Sequence, residues 1–323
     1  MSYTFRAMFP ALCLTLILPC SSLVMAADPA PAKDDKPAEA PVERAALPSR
    51  SQEDAVALER QVPPSEQQQL QAGDENFLAL WKQANTDDPK GAVIIVPGAD
   101  ESADWPNAVG PLRRKLPDVG WASLSLSLPD AYNDGVFARE ADAPAADDKA
   151  AADKDKTKAP DPAAAAEADA AATAAQAAAQ AEIAKANAEK IFARIDSAIA
   201  FAQQNKARSV VLLGHGTGAY WAARYLSERP APAIQKLVMV TAVENGKDTP
   251  SLVDILPTLK VATADFVNKE KSVPRQQAQD RLDASKRVKN SRFTQVALSA
   301  IPGNSAMEQD QLFRRVRGWL EAE

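Results

Sequence analysis

The sequence predicts an α/β fold with a mostly parallel central sheet flanked by helices. Three observations predict it. Short apolar runs are closed by glycine or proline, helical patterns alternate with those runs, and residues 209–229 (SVVLLGHGTGAYWAARYLSER) read as strand, tight turn and helix. Strands that alternate with helices pair in parallel, since each helix carries the chain back to the starting end of the sheet. The core begins near Asn76. FLALWKQ (77–83) reads as a strand, and GAVIIVPG (91–98) as a strand buried on both faces. ADWPNAVGPLRRKLPD (103–118) reads as a helix from about Pro106, since proline suits a first turn. WASLSLSLPD (121–130) alternates Leu and Ser with the period of a strand. After the strand and helix of 209–229, KLVMVTA (236–242), LPTLKVATAD (256–265) and RFTQVALSAI (292–301) read as further strands. MEQDQLFRRVRGWLEAE (307–323) closes the chain as an amphipathic helix with Leu312, Val316, Trp319 and Leu320 on one side.

The ends and the middle have other compositions. MSYTFRAMFPALCLTLILPCSSLVMA has one basic residue, an apolar run and small residues before Ala26, the pattern of a signal peptide over 1–26. The run is broken at Pro10 and Pro19 and is short for a membrane span, which needs about 20 apolar residues. Residues 27–49 read as a flexible linker rich in Pro, Ala and charge, and 50–71 as a short helix followed by a turn at Pro63-Pro64. The expected domain is therefore split, with its N-terminal part at 50–136 and its C-terminal part at 191–323. Between them, 137–190 forms a low-complexity, Ala-rich insert. Up to Pro162 the insert lacks the apolar side chains that would offset the entropy of ordering. From Ala163 alanine predicts a helix continuing to about 203. Its apolar face appears only late, at Ile191, Phe192, Ile195, Ile199 and Ala202.

Composition excludes several chemistries. Both cysteines, Cys13 and Cys20, lie in the leader, so the mature chain offers no disulfide, zinc-thiolate site or cysteine nucleophile. With one histidine, no histidine-based metal cluster is expected, and no cofactor is. A net charge of −6 gives no footprint for nucleic acid. Once the leader is cleaved, no transmembrane span is expected, and the compartment is periplasmic or secreted.

The turn at 214–218 carries the functional argument. Gly214-His215-Gly216-Thr217-Gly218 has the spacing of the G-x-S-x-G nucleophile elbow, yet its central position is Gly216, which has no side chain. The order strand, VPGADESADWP, helix, strand, GHGTGAYWAARYL, strand, LPTLKVATAD, strand, helix resembles the α/β-hydrolase fold from about residue 75 to the end. More closely, FLALW, PNAVGPLRRKLPD, GWASLSLSLPD and GHGTGAYWAARYL resemble an uncharacterised family of secreted α/β-hydrolase-like proteins, known by a domain-of-unknown-function label. That family is common among pseudomonads and related Gram-negative bacteria, and it implies a fold and a compartment without an activity. Carried over by position, Pro97-Gly98 stands where the hydrolases often place a His-Gly turn, Gly216 replaces the nucleophile, and Asp265 fits the acid. The base position, near Gly303-Asn304-Ser305, has no histidine.

These readings lead to a triad-less, non-catalytic hydrolase relative that binds a small ligand or an envelope protein beyond the carboxyl ends of the strands. The expected crevice residues are Pro97, Gly98, Ala99, His215, Gly216, Thr217 and Asp265, and amides at the helix start after Gly216 would suit an anion or a carbonyl oxygen. Gly216 also has a purely conformational explanation, because a turn with positive φ accepts glycine without strain. Asp265 has one as a cap at a strand end, and His215 as a packed structural residue. The competing reading is an esterase-like hydrolase with Thr217 as an unorthodox nucleophile, Asp265 as a residual acid and His215 as a poorly placed base. Trp105, Trp121, Trp221 and Trp319 read as core residues before pocket residues.

Overall fold

The computed structural model describes residues 48–130, 162–229, 231–244, 250–268, 270 and 272–322. The expected leader, nearly all of the linker and the Pro/Ala/charge-rich stretch before Pro162 lie outside the described residues.

One eight-stranded sheet organises the chain. Its strands are β1 (Gln67–Ala72), β2 (Glu75–Lys82), β3 (Gly91–Val96), β4 (Trp121–Leu126), β5 (Val210–His215), β6 (Ile234–Val240), β7 (Ala262–Asn268) and β8 (Phe293–Leu298), in the order β1-β2-β4-β3-β5-β6-β7-β8. β2 runs antiparallel to β1 and β4, and every pair from β4 across to β8 is parallel. The central strand is β3, whose six residues GAVIIV are all buried. Ala92, Ile94 and Val96 face one apolar layer, and Val93 and Ile95 face the other. This two-sided burial is why the run is continuously apolar.

Helices cover both faces. On the first lie the C-terminal part of α3 (Pro162–Gln204) and α4 (Thr217–Glu228); on the second lie α2 (Val109–Lys115) and α7 (Ser305–Glu321). α3 docks through Ala188, Ile191, Phe192, Ile195, Ala198, Ile199 and Ala202, all buried at the i, i+3, i+4 spacing of one helical stripe. Phe192 meets the rings of Trp221 and Tyr225 edge-on, at centroid distances of 6.3 and 5.6 Å. α7 buries Leu312, Val316 and Leu320, with Trp319 half-buried beside them. Near the β1–β2 end, α1 (Arg50–Gln61) starts with a capping box between Ser49 and Gln52 and lays Leu58 against Leu78, Leu80 and Ala103.

Four elements differ from the sequence expectation. β1 is a strand that the reading of 50–71 as helix and turn omitted. Its sequence QQQLQA buries only Leu70, and its hairpin partner β2 holds it through a turn at Gly73 (φ +60°). α2 begins at Val109, three residues after Pro106, because Gly110 N–H first closes a turn onto Trp105 O (2.8 Å). The strand expected at 256–265 starts only at Ala262. Leu256–Thr258 instead forms one 3-10 turn around Pro257, following the short helix α5 (Leu252–Ile255). α6 (Ser272–Arg287) was not foreseen. β4 adds a further point: all six residues of WASLSL are buried, serines included, so its alternation does not mark a wet face. Ser123 Oγ satisfies itself by donating to Arg113 O (2.8 Å).

Candidate functional site

The turn between β5 and α4 has the backbone of a nucleophile elbow. Gly216 adopts φ +56°, ψ −125°, and its N–H donates to Val240 O at 3.0 Å. Its two glycine neighbours are fixed by crowding. A Cβ at Gly214 would lie 2.4 Å from Ala219 Cα and Gly218 O, and one at Gly218 would lie 2.2 Å from Val96 O and Pro97 O. Gly216 differs. A Cβ there would find its nearest neighbour, Glu101 Oε1, at 3.9 Å, which is ordinary contact. The elbow therefore leaves space for a side chain that the chain does not supply.

Glu101 borders that space. Its side chain turns back from the loop after β3, where Glu101 N–H bonds Gly98 O (3.1 Å). Glu101 Oε2 accepts from Gly98 N–H at 2.7 Å, and His215 Nδ1 lies 2.7 and 2.8 Å from the two carboxylate oxygens. Ala99 N–H, the next amide of the loop, donates to Thr217 Oγ1 at 2.7 Å. In a working hydrolase the β3 loop contributes an N–H to the oxyanion hole. Here Gly98 and Ala99 N–H both have internal acceptors.

A cavity of about 390 Å³ opens beside this pair at the carboxyl ends of β5, β6 and β7. Glu101, His215 and Gly216 form one wall, and Thr241, Val243 and Val267 belong to another. Thr241 follows β6 with φ +46°, held by its N–H bond to Phe266 O (2.9 Å). A β-branched residue there is a steric outlier, at a cost of about 1–3 kcal/mol, and such strain clusters at functional sites.

The seven expected crevice residues are thus distributed. His215 and Gly216 line the cavity. Gly98 holds Glu101, Ala99 and Thr217 hold each other, and Pro97 packs its carbonyl against Gly218. Asp265 is not brought to the cavity. It sits inside β7, fully buried, with Arg281 Nε at 2.9 Å, Arg281 Nη2 at 3.3 Å and Gln295 Nε2 at 3.2 Å. The late strand runs three residues further than the sequence suggested, which moves Asp265 from the strand's end to its interior. Glu244, in the loop after β6, accepts from Leu252 N–H (3.1 Å), and burial pushes its carboxyl above the usual range. Among the described residues no three His, Cys, Asp or Glu side chains converge as a metal site, and no helix is long and apolar enough to cross a membrane.

Sequence reasoning missed Glu101 and Thr241. Glu101 carried one weak signal, a carboxylate three residues past a Pro-Gly turn. Thr241 carried none, since its strain comes from the junction of β6 with the following loop.

A family model described as protein of unknown function (DUF3530) matches residues 9–322. The chain belongs to that family. No curated protein matches this DUF3530 chain by sequence. Solved structures match it by fold. A provisionally assigned dienelactone hydrolase from Klebsiella pneumoniae subsp. pneumoniae is 14% identical, with a TM-score of 0.52 over 80% of this chain and 98% of its own. A dienelactone hydrolase from Anabaena variabilis is 14% identical, with a TM-score of 0.51 over 79% of this chain and 97% of its own. An esterase from Pyrococcus furiosus is 12% identical, with a TM-score of 0.50 over 79% and 89%. At these identities the likeness establishes the fold: this DUF3530 chain has the α/β-hydrolase architecture.

Proposed function

We propose that this protein is a periplasmic or secreted member of the hydrolase fold that binds in its crevice and does not turn over esters through a serine triad. It would come from a pseudomonad or a related Gram-negative bacterium, reach the envelope by cleavage after Ala26, keep no membrane span, and take a small ligand or an envelope protein as partner. One observation carries the binding reading: the position of the nucleophile has no side chain, and a carboxylate, Glu101, borders the space left there while Glu101 and Thr217 occupy the loop amides of Gly98 and Ala99. Removing a triad serine costs on the order of 10⁶ in kcat in a well-studied protease, so the change is not a minor one. The competing reading, Thr217 as nucleophile, has less support. Its hydroxyl accepts from Ala99 N–H, and the one histidine is engaged through Nδ1 with Glu101.

The test is intact mass after treatment with a fluorophosphonate serine-hydrolase probe. Wild type and Thr217→Ala are both expected to stay unlabelled. An adduct on wild type that disappears in Thr217→Ala would overturn the binding reading. The same spectra check the compartment, because the mature chain should begin at Ala27; a chain retaining residues 1–26 speaks against export.

A further inference from the structure

The cavity beside Glu101 and His215 has a charge balance that selects among ligands. Glu101 is 14% exposed and borders the cavity, and among the described residues its only ion-pair partner is His215. Its other partner, Gly98 N–H, is neutral. A carboxylate has about four acceptor sites, so these contacts leave acceptor capacity unspent. Among the described residues the one fixed cation lining the cavity, Arg281, is not available to balance Glu101. Arg281 is 2% exposed and bound through two nitrogens to Asp265, which is fully buried. The remaining lining is apolar at Ala242, Val243, Val267 and Pro274 and polar but uncharged at Thr241, Asn268 and Gln277. A second anion brought beside this carboxylate would be repelled.

We propose that this cavity takes an organic cation, with an ammonium group paired to Glu101 and a short alkyl body laid against Val243, Val267 and Pro274. This inference rests on the binding reading and names its ligand class. A cavity of about 390 Å³ is within the usual range for small-molecule sites and admits a six-carbon chain. The strained Thr241 also lines this cavity.

The experiment uses three probes with one tail and different heads: hexylammonium, hexan-1-ol and hexanoate, each titrated into the purified chain by calorimetry. Hexylammonium is expected to bind at least about tenfold more tightly than hexan-1-ol, because hydrogen bonds between charged groups are roughly twice as strong as neutral ones. Hexanoate is expected to bind weakest. Raising the salt concentration should weaken hexylammonium alone. Glu101→Gln keeps the shape and removes the charge, and should bring hexylammonium to within about threefold of hexan-1-ol. The wild-type ranking does not depend on any variant folding. Hexanoate binding tightest, equal binding of all three, or no binding of any would each overturn the cation proposal. Tight hexanoate binding would sink the proposal and leave the binding reading standing, whereas a Thr217-dependent fluorophosphonate adduct would sink the binding reading itself.

Discussion

Replacing Arg281 with methionine is expected to destabilise the domain by about 3–5 kcal/mol. Asp265 is fully buried, and among the described residues Arg281 supplies two of its three side-chain hydrogen-bond donors and its only cation. Removing one partner of a buried pair leaves a charge with neither water nor counter-ion, which costs far more than the net contribution of the intact pair. The double variant Asp265→Leu with Arg281→Met removes both charges and should recover most of the loss. Urea unfolding followed by tryptophan fluorescence measures both variants. A loss below about 1 kcal/mol for the single variant would show that Asp265 does not depend on Arg281.

The second large effect is expected at Gly218. Alanine there places Cβ 2.2 Å from the carbonyl oxygens of Val96 and Pro97, both backbone atoms of the central strand and the loop leaving it. No side chain can swing away, so α4 must lift off β3. We expect a loss of at least about 4 kcal/mol or failure to fold, the range reached when packing itself is broken. Gly303→Ala is the contrast. Nothing lies within 4 Å of its Cβ, and only its φ of +78° opposes the change, so about 1 kcal/mol is expected. Thermal melts of the two variants side by side separate crowding from backbone preference. Equal losses would contradict the close approach of α4 to β3.

The fold was legible where burial is two-sided. GAVIIV, SVVLLG and KLVMV are continuous apolar runs because helices cover both faces of the strands they form. It was illegible where tertiary pairing overrides local pattern. β1 has glutamine at four of six positions and exists because β2 pairs with it, and α6 follows a strand whose end was misjudged by three residues. The candidate site was half legible. The glycine spacing at 214–218 announced the elbow, since each flanking glycine is required by a backbone contact. Glu101 and His215 are 114 residues apart in sequence and meet only because β3 and β5 are neighbours in the sheet. No local pattern records that adjacency. The same parallel register that joins them also carries Asp265 into the interior, away from the crevice where position alone had put it.

α3 has a consequence of a different kind. Its 43 residues make a helix of about 65 Å, yet side chains from Ala174 to Ala186 are exposed, and burial begins only at Ala188. The docked half is held by the core, and its amide protons should exchange with deuterium as slowly as those of β3. The leading half is held by alanine's intrinsic preference, which sustains an isolated helix only marginally in water. One uninterrupted hydrogen-bond ladder should therefore show two exchange regimes, with the boundary within a turn of Ala188. Heating would then melt the helix from its first residues inward, well before the sheet gives way.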